Sequence, residues 1–273
     1  MTILSGRTGF TWSTVCRLWR RTTVAGGKFA QDLLFPPRCV RCDAELADLP
    51  DEVLLCGACR ELLAARQWSG CLRCGAQAPA ELPPPPSCGW CRSRRLRMDR
   101  TFVLGPYQEE LRDAVLWLKR SSGVPLAGAL SRLFWGAWEN DLRQLGVDTV
   151  IPVPMHWTRR TVRGVNNPDM LADELGRRLG VPMAGRIVFR CRKTLPQANL
   201  RPEERFRNVR GAFRLRAGYD LRGARVLLID DILTTGATAS EAAGVLKHAG
   251  VSMVAVAVLA RAASVRHELR RTS

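Results

Sequence analysis

The sequence predicts an α/β protein with a parallel sheet, preceded by a small cysteine-rich module. Two observations support this fold class. Four Cys-x-x-Cys pairs are concentrated between residues 39 and 91. From Thr101 onward, apolar runs typical of buried strands alternate with segments whose apolar residues recur at helical spacing. Strands that alternate with helices indicate a parallel sheet with crossover helices.

The length of 273 residues is typical of one or two domains. We predict an N-terminal extension over residues 1–30, mobile or peripheral, then the cysteine-rich module over residues 31–95. The α/β domain is predicted over residues 101–265. The formal net charge of +17 permits binding to phosphates or nucleic acid. The alternative is compositional, since 38 of the 42 cationic residues are arginine.

The sequence contains no apolar segment of the roughly 18 residues that a membrane-spanning helix needs. The longest apolar run covers residues 251–260 and suits a buried parallel strand. The N-terminal Arg-Arg pair is not followed by the apolar core of a secretory signal. We therefore expect a cytoplasmic protein without membrane insertion.

The cysteine pairs form one unit used twice. Thirteen residues separate the first pair from the second, and thirteen separate the third from the fourth. Four thiolates in two close pairs can surround a tetrahedral Zn²⁺, so the spacing predicts two structural zinc sites. The predicted ligands are Cys39, Cys42, Cys56, Cys59, Cys71, Cys74, Cys88 and Cys91.

Two questions about these cysteines stay open at the level of sequence. A disulfide framework or a redox pair would be the alternative to zinc, but nothing here indicates export, and a thioredoxin-like motif uses a single pair. Sequential pairing joins the first pair to the second and the third to the fourth, and it is favoured because each repeat is closed. A crossed pairing is the alternative.

The α/β region divides into strands and helices in regular order. The predicted strands cover residues 100–107, 148–154, 224–231 and 251–260. The predicted helices cover residues 109–120, 126–146, 166–180 and 238–250, with Gly180 ending the third. Strand 224–231 is predicted to lie centrally in the sheet, because it is almost wholly apolar until two acidic residues.

That strand leads into a loop suited to a sugar phosphate. Ligands of open α/β sheets bind beyond the carboxyl ends of strands, where Asp230 and Asp231 are predicted to stand. Carboxylates can accept hydrogen bonds from a ribose diol and can reach Mg²⁺. The following turn into a helix offers backbone N–H groups and hydroxyls to a phosphate, and Gly236 permits close backbone approach. The predicted loop residues are Thr234, Thr235, Gly236, Ala237 and Thr238.

This stretch resembles the signature with which type I phosphoribosyltransferases bind 5-phosphoribosyl-1-pyrophosphate (PRPP). The shared features are an apolar strand, two acids, an apolar residue and Thr-Gly-x-Thr, in the same register. Residues 150–172 and 193–213, together with the cysteine module, resemble the ComF family over residues 30–262. The resemblance implies a double zinc ribbon fused to a phosphoribosyltransferase-like domain. It also implies that residues 150–153, including Pro152 and Val153, form a loop near the pyrophosphate, and that Lys193 belongs to a second motif of the ligand site.

The resemblance implies binding of PRPP or a related ribose phosphate with Mg²⁺, and a role in competence and DNA uptake. Whether the chain is an enzyme, a pentosyl-transferring glycosyltransferase, stays open. The alternative is a non-catalytic module that binds single-stranded DNA or competence proteins. For the enzyme, the candidate clamps on a leaving pyrophosphate are Lys119, Arg160, Arg163, Lys193 and Arg205, with His156 as a further candidate.

Overall fold

A computed structural model describes residues 36–46, 53–64, 70–77, 84–118, 123–154, 167–197 and 200–262. The strands are β1 Arg100–Pro106, β2 Thr149–Pro152, β3 Val188–Arg190, β4 Phe213–Leu215, β5 Arg225–Leu233 and β6 Met253–Arg261. The helices are α1 Gly57–Leu63, α2 Gly89–Arg94, α3 Glu109–Trp117, α4 Val124–Leu145, α5 Asn167–Leu179, α6 Pro202–Val209 and α7 Ala237–His248. The predicted extension over residues 1–30 lies outside the described residues.

Four strands form a parallel sheet in the order β1-β6-β5-β2. The prediction of a parallel sheet with β5 inside it is confirmed. All four predicted strands and all four predicted helices of this region are present. Gly180 follows α5 with a left-handed φ of 70°, which glycine adopts without steric cost and which ends the helix.

The sequence reading missed a second, antiparallel sheet made of β3 and β4, and the helix α6 between them. The two strands are three residues long and carry arginines. Strands of that length are too short to show a clear alternation of apolar and polar residues. Their pairing therefore had no signal in the sequence pattern.

The parallel sheet has a separate hydrophobic core on each face. Leu227 and Ile229 of β5 join a core with α3, α4 and α5. Val226 and Leu228 alternate to the opposite face and pack with α7. The faces differ in the ribbon that covers them, because Cys39 and Cys59 belong to the first core while Cys71, Cys74 and Cys91 belong to the second.

The ribbon region repeats its local structure with the spacing seen in the sequence. An antiparallel bridge joins Arg38 to Glu45 in the first half and Gly70 to Gln77 in the second. The short helices that follow begin at Gly57 and Gly89. Each element is therefore displaced by the same 32 residues, which confirms one unit used twice.

Among the described residues, no helix combines the length and the apolar character that crossing a membrane requires.

Candidate functional site

The eight predicted zinc ligands meet in two groups of four. The sulfur atoms of Cys39, Cys42, Cys56 and Cys59 lie within 4.8 Å of one another, and so do those of Cys71, Cys74, Cys88 and Cys91. Nearest neighbours such as the Cys71 and Cys91 sulfurs are 3.5 Å apart. Four thiolates around Zn²⁺ at about 2.3 Å would lie about 3.8 Å apart, so both groups fit a structural zinc ion. The sequential pairing is confirmed.

The knuckle turns explain how the backbone brings these sulfurs together. In the first ribbon the N–H of Asp43 donates to the Cys39 carbonyl at 2.8 Å, and in the second the N–H of Gly75 donates to the Cys71 carbonyl at 2.7 Å. The second Cys-x-x-Cys of each ribbon spans the start of a short helix, with Cys56 or Cys88 at its N-cap. Every ligand is supplied by the protein, so neither site keeps an open position for a substrate.

The predicted acids lie inside strand β5 rather than at its end. β5 continues two residues past Asp231 to Leu233, because β6 runs beside it and pairs as far as Arg261. On the other side, β2 ends at Pro152, opposite Ile229. Among the described residues, no strand pairs with the two acids on the β2 side of the sheet, and both are partly buried, which corrects the expected strand end.

The two carboxylates are held by local backbone contacts. Asp230 accepts a hydrogen bond from the N–H of Asp231 at 2.9 Å, and Asp231 accepts one from the N–H of Ile232 at 2.7 Å. Burial, followed by the negative charge of Asp231, raises the pKa of Asp230 well above its usual value, and the charge of Arg190 opposes that rise. Two adjacent acids in this setting favour a bound cation or hydrogen-bond donor.

The loop after β5 presents a row of backbone donors. Within the described part of the chain, the N–H groups of Thr234, Thr235 and Gly236 have no hydrogen-bond partner. Gly236 has a left-handed φ of 80° and serves as the N-cap of α7. Successive N–H groups in such a turn at a helix N-terminus form a concave site for an anion.

The hydroxyl groups of the loop have different surroundings. Thr235 is only 2% exposed, and its Oγ1 accepts a hydrogen bond from the N–H of Ala237 at 3.3 Å. Thr238 accepts one from the side chain of Gln197 at 2.7 Å. Thr234 is partly exposed beside them. Backbone donors, more than hydroxyls, are therefore available to an anion at this loop.

The other predicted site residues differ in position. Pro152 and Val153 are buried beside the acids, and the N–H of Val153 donates to Ile229 at 2.7 Å. Lys193 is exposed, and no contact among the described residues joins it to Asp230 or Asp231. Arg205 donates to the carbonyl of Leu200 at 3.0 Å. Lys119, His156, Arg160 and Arg163 lie outside the described residues.

Three neighbours of this site were not predicted as ligand-site residues. Arg190 lies close enough for its charge to act on Asp230, and it is the last residue of β3, the strand that the sequence did not predict. Trp90 lies inside the fourth Cys-x-x-Cys and donates from Nε1 to the Thr235 carbonyl at 3.2 Å. Arg261, at the carboxyl end of β6, is 3% exposed and donates to Leu233 and Thr234 carbonyls. A charged residue that ends an apolar strand was the available signal for Arg261.

Comparison with known proteins gives a consistent assignment. Residues 30–92 match the family model of the double zinc ribbon domain, and residues 170–272 match that of the phosphoribosyl transferase domain. Competence protein F of Haemophilus influenzae is 30% identical over 229 residues, which cover 82% of this chain and 97% of that protein. The chain belongs to the ComF family. This ComF-family chain is also 32% identical to the DNA utilization protein YhgH of Escherichia coli O6:H1, over 76% of the chain and 96% of the relative.

Solved structures add a weaker similarity. The purine phosphoribosyltransferase from Pyrococcus horikoshii is 18% identical and covers 58% of this ComF-family chain and 78% of its own, with a TM-score of 0.30. The predicted class, a phosphoribosyltransferase-like parallel α/β sheet with an N-terminal double zinc ribbon, is confirmed.

Proposed function

We propose that this ComF-family protein binds PRPP or a related ribose phosphate at the β5–α7 loop, in a role in DNA uptake. The observation that carries the proposal is that Asp230 and Asp231 lie just before three successive N–H groups, at residues 234–236, that have no partner among the described residues. The carboxylates suit the vicinal hydroxyls of ribose and a Mg²⁺ ion, and the N–H groups suit its 5-phosphate. The names of the relatives support a role in competence.

Phosphoribosyl transfer is the reaction that this site would support. The C1–O bond to pyrophosphate would break with its electron pair leaving on pyrophosphate, and the acceptor atom would form its bond to C1 and lose its proton to solvent. A bound Mg²⁺ would supply positive charge that neutralises the leaving group. Positive charge develops on the ribose ring, so catalysis consists of holding the sugar and neutralising the leaving group. Asp230 and Asp231 would hold the sugar, while Pro152 and Val153 border the space for the pyrophosphate. Arg190, whose charge acts on Asp230, is a described cation near the acids, and Lys193 is the described lysine proposed for the pyrophosphate.

Calorimetric titration of the zinc-loaded protein with PRPP and Mg²⁺ tests this binding. We expect saturable binding at one site per chain that weakens when Mg²⁺ is omitted. Ribose 5-phosphate should bind more weakly, because it lacks the pyrophosphate, and ribose should not bind measurably. Absence of heat and of any ligand-induced thermal stabilisation would refute the proposal. Release of pyrophosphate across a panel of bases and amines then decides between enzyme and sensor.

A second function, binding of single-stranded DNA, is favoured by a basic surface on the β3–β4 sheet. We define this basic surface by its exposed cations, which are Arg192, Lys193, Arg210, Arg214 and Arg216. Such a surface would follow a phosphate backbone without reading sequence. The basic surface lies on the same sheet as Arg190, so single-stranded DNA and the sugar phosphate would bind next to each other.

The DNA proposal predicts a steep dependence of affinity on salt. For single strands, the logarithm of the binding constant falls with slope of about −0.7 per phosphate contacted. Substituting both Arg214 and Arg216 with Gln should make that slope shallower by roughly 1.4 in fluorescence anisotropy titrations with a labelled oligonucleotide. Asp230→Asn is the matched control and should leave the slope unchanged. Equal slopes for the double variant and the parent protein would exclude the basic surface as the binding site.

A further inference from the structure

The loop that carries the free N–H groups is held on its other side by the second zinc ribbon. Trp90, between two cysteines of that ribbon, donates to the Thr235 carbonyl at 3.2 Å. Arg261 donates from Nε to the carbonyl of Cys74 at 3.0 Å and from Nη1 to that of Leu233 at 3.1 Å. The same Nη1 also contacts the Thr234 carbonyl. The carbonyls of three successive residues, 233–235, therefore accept hydrogen bonds from Trp90 of the ribbon or from Arg261, whose side chain also contacts the ribbon.

These contacts determine where the loop amides point. A peptide group is planar and trans, so the carbonyl of one residue and the N–H of the next point in opposite directions. The carbonyls of Leu233 and Thr234 point toward Arg261, and the carbonyl of Thr235 points toward Trp90. The N–H groups of Thr234, Thr235 and Gly236 must then face away from these two side chains. These are the same three groups that lack a hydrogen-bond partner in the described part of the chain.

Apolar packing supports the same arrangement. Leu96 and Met98, which follow α2, pack against Gly236 so closely that a Cβ atom at this position would be 3.1 Å from the Met98 methyl group. The N–H of Arg97 donates to Ser240 Oγ in the first turn of α7 at 3.1 Å. The segment that follows the second ribbon thus contacts both the loop after β5 and α7, the helix that follows this loop.

We propose that the second four-cysteine cluster positions the phosphate loop, with Trp90 and Arg261 as the positioning residues that orient its three N–H donors. The zinc ion would fix the knuckles that carry Trp90 and the Cys74 carbonyl, and it would not touch the ligand. The first cluster has no such role, because Cys39 and Cys59 pack in the core on the opposite face of the sheet. The effect on ligand binding rests on the proposed function, but the rigidity of the loop backbone can be measured without ligand.

The experiment compares two tryptophan substitutions that remove the same atoms. Trp90→Phe removes the donor to the loop. Trp138→Phe removes a donor to the Val103 carbonyl at 2.9 Å, and Trp138 packs against the hydrophobic core that contains Cys39 and Cys59. We measure ¹⁵N order parameters of the amides of residues 234–236 in zinc-loaded protein without ligand. The parent value should be about 0.85, as in rigid backbone, and Trp90→Phe should lower it below about 0.6. Trp138→Phe should leave it unchanged.

Binding provides the second measurement. Trp90→Phe should weaken binding of PRPP with Mg²⁺ by roughly fivefold, the effect of one hydrogen bond. Arg261→Lys keeps the charge but loses the planar fork, and it should act in the same direction. Cys88→Ser in the second cluster should lower the loop order parameters, whereas Cys42→Ser in the first should not.

The outcomes separate this inference from the proposed function. If Trp90→Phe loosens the loop and the parent protein binds no PRPP, the positioning role stands and the proposed function fails. If the parent binds PRPP and Trp90→Phe changes neither loop order nor affinity, the positioning role is refuted while the function stands. Equal loosening by Trp90→Phe and Trp138→Phe would also refute it, because the effect would then be general destabilisation.

Discussion

Substituting Asp230 with Asn should stabilise the protein and weaken its binding of PRPP at the same time. The pKa of Asp230 is raised, first by burial and then by the charge of Asp231, so the charged form is disfavoured in the folded protein. Asparagine keeps the shape and removes the charge. The same charge is what attracts Mg²⁺ and the ribose hydroxyls, so its loss should weaken binding by roughly 10–100-fold, the range for a hydrogen bond to a charged group.

The stabilisation should depend on pH with a definite sign. Because the pKa of Asp230 is higher in the folded state than in the unfolded one, the folded state retains this proton more strongly. The parent protein therefore loses stability as the pH rises from the unfolded pKa, about 3.9, through the folded pKa. The Asn variant lacks this loss. Its thermal midpoint should exceed that of the parent by about 2–4 °C at neutral pH, if the removed cost is about 1 kcal/mol.

Asp220→Asn provides a control with the opposite sign. A hydrogen bond from Arg222 lowers the pKa of this exposed acid, which lies outside the ligand site. The control should not raise the thermal midpoint and should leave PRPP affinity unchanged. Differential scanning fluorimetry from pH 5 to pH 8, with both variants zinc-loaded, makes the comparison. A less stable Asp230→Asn protein with full PRPP affinity would contradict both the burial effect and the assigned role of Asp230.

The sequence was sufficient for the parallel sheet because mainly apolar strand segments alternate with segments of helical spacing, although β2 is only four residues long. It was also sufficient for the two cysteine clusters, because zinc ligands recur at a fixed short spacing. The acids were identified, but their position inside β5 was not, since that depends on how far β6 continues beside them. Short-range patterns therefore predicted which residues are present at the site more reliably than the ends of the strands that hold them.

What the sequence could not predict depends on contacts between distant parts of the chain. Trp90 and Thr235 are 145 positions apart, and Arg261 and Cys74 are 187 apart. Neither pair has a periodic or spacing signal, because the contact arises only when the ribbon packs on the α7 face of the sheet. A tryptophan inside a zinc knuckle and an arginine after a buried strand were visible in the sequence, but their shared target was not.

Zinc should leave the two clusters at different rates when a strong chelator is added. In the first cluster, Cys42 is exposed and Cys56 is partly exposed, so a competing ligand can reach the metal. In the second, Cys71 and Cys74 are each 1% exposed and Cys91 is fully buried. A colorimetric chelator should therefore release two zinc ions per chain in two phases, with the fast phase from the first cluster. In Cys42→Ser the fast phase should disappear, leaving one ion per chain.

The slow phase should be coupled to loss of tertiary structure. Zinc binding to sites of this type contributes about 10–16 kcal/mol in isolated zinc-finger peptides, so its removal from a buried site requires the surrounding core to open. The cysteines of the second cluster pack with α7 and with Val226 and Leu228 of the central strand. The rate of slow zinc release should therefore equal the rate at which the near-ultraviolet circular dichroism signal decays in the same chelator. Release of both ions in a single phase, with the tertiary signal retained, would show that the second cluster is as accessible as the first and is separable from the core of the sheet.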